Sequence, residues 1–377
     1  MSEPKMSEPK AAPLISPADV LQEASTLGKR IAEGAKLFSE VKDEEVQIAT
    51  TPKDVVFQQD KVTLYRYRPL AETQSIGIPV LICYGLVGRW TMADLQEDRS
   101  LIRNLLKLGV DLYVVDWGNP SRADRFLTLD DYIDGYLDEC MSFIAEASGK
   151  PKVNLLGICE GGVFATAYAA LHPEKINGLI LTITPIDFHA DMEGEQRKGH
   201  GFINLWTRNL DPKDIDRLID VYGSLPGEFM GSVFSMLTPM RTMTKYNLDL
   251  LDVMDDKKKF MNFLRMEKWI ADRPHHPGEA AKQWLKDLYQ NNKLVKNELE
   301  IGGRKVDLGK ISAPVLNIFA TDDHIVPPAT SQGLKRVVGT KDYTELPLPG
   351  GHIGVFVGGK GNALLGPSIA DWLKKHD

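Results

Sequence analysis

The order of apolar runs constrains this chain more than any other feature. From Val62 onward, "VTLYRY", "PVLICYGL", "DLYVVDW", "VNLLGI", "INGLILTITP", "PVLNIFATDD" and the more polar "DYTELPL" alternate with helical patterns. Short apolar runs bounded by turn residues read as strands, and strand–helix alternation builds a mainly parallel sheet with helices on both faces. The helix signals agree. "SLIRNLLKLG" closes on Gly109 at a C-cap position, and Thr128 and Asp131 have capping-box spacing ahead of a segment that runs to Gly149. The alternation stops near Pro185 and resumes near Ile311. Between them, "FMNFLRMEKWIADRP" and "EAAKQWLKDLYQNNKL" are helical or loop-like and rich in Met, Trp and charge. The expected fold is α/β, with a core over 54–184 and 311–377 and a largely helical cap inserted at 185–310. Such a cap would lie over the carboxyl ends of the strands, where open α/β sheets place their sites.

Residues 1–53 stand apart. They begin with "MSEPK" written twice, a polar, proline-bearing tail. Leu21, Ala24, Leu27, Ile31, Ala35 and Phe38 then follow at helical spacing. This stripe is expected to dock on its own domain, with a surface that binds a partner or a larger particle as the alternative. A formal charge of −7 argues against a basic footprint for nucleic acid. Cys83, Cys140 and Cys159 show no CxxC spacing, so neither a disulfide framework nor a zinc site is expected, and a reducing cytoplasm fits best. No signal peptide and no transmembrane run of about 20 apolar residues is legible.

The chemistry is concentrated in "VNLLGICEGGVFATAYAALHP", Val153 to Pro173. A strand, Gly157-Ile158-Cys159-Glu160-Gly161 and a helix make a nucleophile elbow, in which small neighbours let a strained turn push the nucleophile above the sheet. The helix N-terminus favours a thiolate, and the Glu160 N–H is a candidate oxyanion donor. In this fold the acid and then the histidine follow the nucleophile. Asp322 and Asp323, at the end of "PVLNIFAT", are both candidates for the acid. His352, in the glycine-rich "LPLPGGHIGVF", is the expected base, with His275, His276 and His324 as competitors. The second oxyanion donor is expected from "CYGLVG", at Leu86 N–H. Cys83 and Cys140 read as core residues.

Beyond the elbow, "LYRY", "DLQEDRSLIRNLLKLGVDLYVVDWG", "NFLRMEKWI", "NKLVKNELEIGGRKVDL", "DHIVPP" and "GHIG" resemble the catalytic subunits of polyhydroxyalkanoate synthases, class III in particular, from about residue 55 to the end. The resemblance implies an α/β-hydrolase fold and polymerisation of (R)-3-hydroxyacyl-CoA, chiefly 3-hydroxybutyryl-CoA, into a growing polyester with release of CoA. It implies Cys159 as nucleophile, His352 as base and, because the family's aspartate directly precedes histidine, Asp323 as the acid. It also implies an accessory subunit (PhaE-type, or its PhaR-type counterpart), a homodimer in the active form, and a cytoplasmic place at polyester granules. No cofactor or metal is implied. Two departures stand out: glycines in Tyr84-Gly85-Leu86-Val87-Gly88 where the family more often has Ala and Asn, and Glu160 where Gln or Met is common. The Glu160 side chain is expected to point away.

A cysteine suits this chemistry. Thiolate–thioester exchange runs between near-equal energies, so the acyl group stays activated for transfer to a hydroxyl. That activation requires water to be excluded, for which Leu237, Met240, Phe260, Phe263 and Trp269 are candidates. CoA phosphates would need cations, with Lys257 to Lys259 and Arg241 as candidates. A cysteine-dependent hydrolase of esters, lactones or thioesters is the nearest rival reading, and a non-enzymatic granule-coat protein a more distant one.

Overall fold

Eight strands form one sheet: β1 (Lys53–Gln59), β2 (Val62–Tyr67), β3 (Ile76–Cys83), β4 (Val110–Asp116), β5 (Val153–Ile158), β6 (Ile176–Thr182), β7 (Val315–Ala320) and β8 (Tyr343–Leu348). Their order is β1-β2-β4-β3-β5-β6-β7-β8. All pairings are parallel except β1 with β2 and β2 with β4. This computed structural model describes residues 16–72, 76–190, 202–236, 250, 253–254 and 256–377. Seven of the strands coincide with the apolar runs. The eighth, β1, is an edge strand without a fully buried residue, so its sequence carries no apolar run.

Side chains alternate across the sheet and feed two core layers. Leu81, Cys83, Leu155, Leu179 and Leu181 join one layer with helices α3 (Leu137–Ser148) and α4 (Glu160–Leu171). Val80, Ile82, Leu156, Ile158 and Ile180 join the other with α2 (Leu101–Lys107) and the helix Gly359–Lys375. The Thr128 capping box forms, Asp131 Oδ2 accepting from Thr128 N–H and Oγ–H at 2.7 Å each.

Between β6 and β7 come the helices Phe202–Arg208, Pro212–Tyr222, Gly227–Met236 and Lys257–Ala271. Ser224–Leu225, between the second and third of these, pairs with His276–Pro277, which leads into the helix Gly278–Lys282. The chain divides into two compact units: a large one of Gln47–Pro239 with Arg265–Asp377, and a small one of the chain up to Val46 with the stretch ending at Leu264. In the small unit α1 (Pro17–Glu40) is N-capped by Ser16 and closes on Met254 at Gly34. Of the stripe expected to dock, Phe38 meets the Phe260 ring edge-on at 6.3 Å, while Leu21, Leu27 and Ile31 are exposed. Among the described residues no helix is long and apolar enough to cross a membrane.

Candidate active site

The elbow forms where the glycine spacing puts it. Cys159 follows β5 at φ 53° and ψ −122°, a left-handed backbone that a non-glycine residue holds only under constraint. Its N–H donates to Thr182 O at the end of β6, 3.0 Å away. The flanking glycines are obligatory: a Cβ on Gly157 would lie 2.5 Å from Gly162 Cα, and one on Gly161 2.2 Å from Cys83 O. Cys159 itself is partly exposed, whereas Cys83 and Cys140 are buried free thiols. Burial pushes both buried thiols up, Cys140 to about 12, which leaves them protonated and inert.

Two loops at the strand ends deliver a carboxylate and an imidazole. Asp323, after β7, is buried; its Oδ1 accepts from the Ile325 and Val326 N–H groups, each at 2.9 Å. Its Oδ2 accepts from His352 Nδ1 at 2.7 Å, the imidazole standing in the loop after β8. Burial lowers the His352 pKa, but the charges and hydrogen bonds of Asp323 and Cys159 outweigh it and hold the imidazole at about 10. Cys159, His352 and Asp323 are thus brought together. Asp322 is exposed and accepts from the Gly350 N–H at 3.3 Å, whereas the His352 hydrogen bond goes to Asp323. Of the competing histidines, His275 pairs with Ser224 Oγ at 3.3 Å, and His324 is half-buried beside Asp323.

His276 and Glu160 are the residues that sequence reasoning misjudged. Glu160 is buried, with Oε2 accepting from Leu86 N–H at 2.6 Å and Val87 N–H at 2.8 Å, and Oε1 accepting from His276 Nε2 at 2.8 Å. The expectation for Leu86 is therefore corrected: its N–H is committed to a carboxylate. The Glu160 side chain does not turn out to solvent, because three donors enclose it. The Glu160 N–H opens α4 and has no intrahelical partner.

The remaining candidates are scattered. Phe260 and Trp269 are buried, while Leu237, Met240 and Arg241 lie outside the described residues. Lys257 pairs with Glu45 and Lys259 with Asp256, each at 3.7 Å. Among the described residues, no group of three or more His, Cys, Asp and Glu side chains is arranged to hold a metal ion.

A cysteine lifted from the end of a parallel strand, with a later acid and a still later histidine beside it, defines an α/β-hydrolase-fold enzyme. The alpha/beta hydrolase fold model matches residues 78–359. Residues 19–105 match the N-terminal model of poly-beta-hydroxybutyrate polymerase (PhaC), which extends the likeness to α1, a part the motifs did not reach. The chain is 43% identical over 363 residues to the poly(3-hydroxyalkanoate) polymerase subunit PhaC of Allochromatium vinosum, covering 96% of this chain and 99% of that one. It is 44% identical over 357 residues to the subunit of the same name from Synechocystis sp., covering 94% and 93%. The Thiocystis violacea subunit is 40% identical over 362 residues, covering 96% and 98%. The chain belongs to the poly(3-hydroxyalkanoate) polymerase PhaC family, a family of acyltransferases.

Proposed function

We propose that this enzyme polymerises (R)-3-hydroxyacyl-CoA, chiefly 3-hydroxybutyryl-CoA, through a thioester on Cys159. The observation that carries this reading is the Cys159–His352–Asp323 arrangement in a chain of this family. With the Cys159 proton already held on His352, the sulfur attacks the acyl-CoA carbonyl carbon. The bond from that carbon to the CoA sulfur breaks, and His352 returns the proton to CoA. The hydroxyl of a second 3-hydroxyacyl group then attacks the Cys159 thioester, yielding an ester and releasing the Cys159 sulfur, with the hydroxyl proton passing to His352. Asp323 orients the imidazole and supports it as base on the hydroxyl. The Glu160 N–H, at the start of α4, receives the developing oxyanion.

Residues inserted between β6 and β7 that belong to the large unit, Trp269 among them, keep water from the acyl group. The enzyme works as a homodimer with an accessory subunit of the PhaE type, in the cytoplasm at the granule surface. The test is the product formed from 3-hydroxybutyryl-CoA by the full chain with that subunit. Polymer and free CoA are expected; free 3-hydroxybutyrate would identify a hydrolase instead. Cys159→Ala is expected to lower CoA release by about 10⁶-fold, and activity retained in that variant would rule out the thioester route.

A further inference from the structure

The loop that faces the elbow is held at three of its backbone atoms. Tyr84 O accepts from Trp117 Nε1 at 2.7 Å, and the Leu86 and Val87 N–H groups both donate to Glu160 Oε2. The carboxylate is itself held at Oε1 by His276 Nε2, at 2.8 Å, from the stretch between β6 and β7. Glu160 is 1% exposed and His276 0%, so solvent does not compete for these bonds. Gly85 makes the arrangement possible: a Cβ there would lie 2.4 Å from Glu160 Cβ and 2.5 Å from Oε2. The proposed reaction uses none of these side-chain atoms. A buried carboxylate is costly to keep unless its bonds serve a purpose, and here they join three separate segments at one point.

We infer that Glu160 and His276 are positioning residues for acyl transfer. They tie the nucleophile elbow to the Tyr84–Val87 loop, so that the Glu160 N–H assigned to the oxyanion needs no rearrangement as negative charge develops. The inference rests on the thioester chemistry proposed above. A preorganised backbone donor stabilises a tetrahedral intermediate because its orientation is already set, and an elbow freed from this anchor loses that advantage. What the loop requires of residue 160 is one oxygen that accepts two N–H bonds and a second polar atom that bonds His276. Glutamine meets the same demand, through its carbonyl oxygen and its amide nitrogen with the other imidazole tautomer.

The experiment compares two reactions at the same sulfur. Transfer from 3-hydroxybutyryl-CoA passes through an oxyanion, whereas alkylation by iodoacetamide does not. Alkylation reports on Cys159 because Cys83 and Cys140 are buried. In the full chain with its accessory subunit, Glu160→Ala is expected to lower kcat for CoA release about 100-fold with KM changed by no more than about three-fold. Its alkylation rate should stay within about two-fold of wild type, since sulfur and base are untouched. His276→Phe should produce a smaller loss of the same kind, and Glu160→Gln should recover all but about five-fold of kcat. The inference is overturned by a Glu160→Ala enzyme with wild-type kcat, by alkylation falling in step with kcat, or by Glu160→Gln no better than Glu160→Ala. If wild type yields free acid in place of polymer, the polyester reading fails, and the positioning role is still scored on the same CoA release.

Discussion

Asp323–His352 and Glu160–His276 are the same chemistry twice: a carboxylate and an imidazole 2.7 and 2.8 Å apart, with no side chain more than 6% exposed. They differ in what is left over. Asp323 spends its second oxygen on its own loop, at Ile325 and Val326, and engages only Nδ1 of His352, leaving Nε2 for Cys159. Glu160 spends its second oxygen on the Leu86–Val87 backbone, and the remaining nitrogen of His276 lies 3.4 Å from Pro277 O. One pair keeps a ring nitrogen available to a nucleophile. The other has committed its polar atoms to backbone and to itself, so it can hold a shape but has no atom to offer substrate.

The sharpest way to break this contrast is Asp323→Asn. The asparagine oxygen can still accept from Ile325 and Val326, so the loop survives. Its amide group, however, donates toward Nδ1 and drives the imidazole proton to Nε2, the nitrogen that must take the thiol proton. An expected loss of about 10⁴ in kcat for CoA release follows from that wrong tautomer. This is well beyond the loss expected for Glu160→Ala. Equal losses in the two variants would mean that the pairs do not divide the work as described.

A second measurement concerns charge rather than rate. His352 is held at about 10 in part by Cys159, so Cys159→Ala should lower its titration midpoint, read from the His352 ring resonance by NMR. An unchanged midpoint would separate the imidazole from the sulfur. The same shift has a stability consequence. The folded-state pKa lies above the unfolded value of about 6.5, so the native state binds the extra proton. The pair's contribution is fully present below that pH and is lost as pH rises through about 10. Urea unfolding across this window should show wild type losing stability more steeply than Cys159→Ala.

The two pairs were also unequally legible in the sequence. Parallel strands buried on both faces are written as apolar runs, and Gly157 and Gly161 mark the elbow because neither position has room for a Cβ. His352 follows from chain order on this fold. Glu160 and His276 are 116 residues apart, and no local spacing predicts that a charged side chain beside the nucleophile turns inward. The available hints were weak: Gly85 in place of a residue with a Cβ, and a histidine in "RPHHPG". A side chain with three donors around it is set by packing between distant segments, and a propensity argument that sends charge to the surface misses it.

The smallest expected effect tests whether position or residue type makes the first pair. Asp322 sits beside Asp323 and has the same side chain, and residue chemistry alone could not choose between them. In the fold, one carboxylate is buried against His352 while the other is exposed, with Thr321 Oγ at 3.2 Å and the Gly350 N–H at 3.3 Å. Those exposed contacts are long, and removing them uncovers no buried group. Asp322→Ala should therefore change kcat by less than about two-fold and unfolding stability by no more than about 0.5 kcal/mol. A loss approaching that of Asp323→Asn would place the His352 partner on the wrong aspartate. A stability loss without a kinetic one would instead mean that the Asp322–Gly350 contact anchors the histidine loop. The difference between the neighbours comes from the loop after β7, whose Ile325 and Val326 N–H groups close on one carboxylate and leave its neighbour in water.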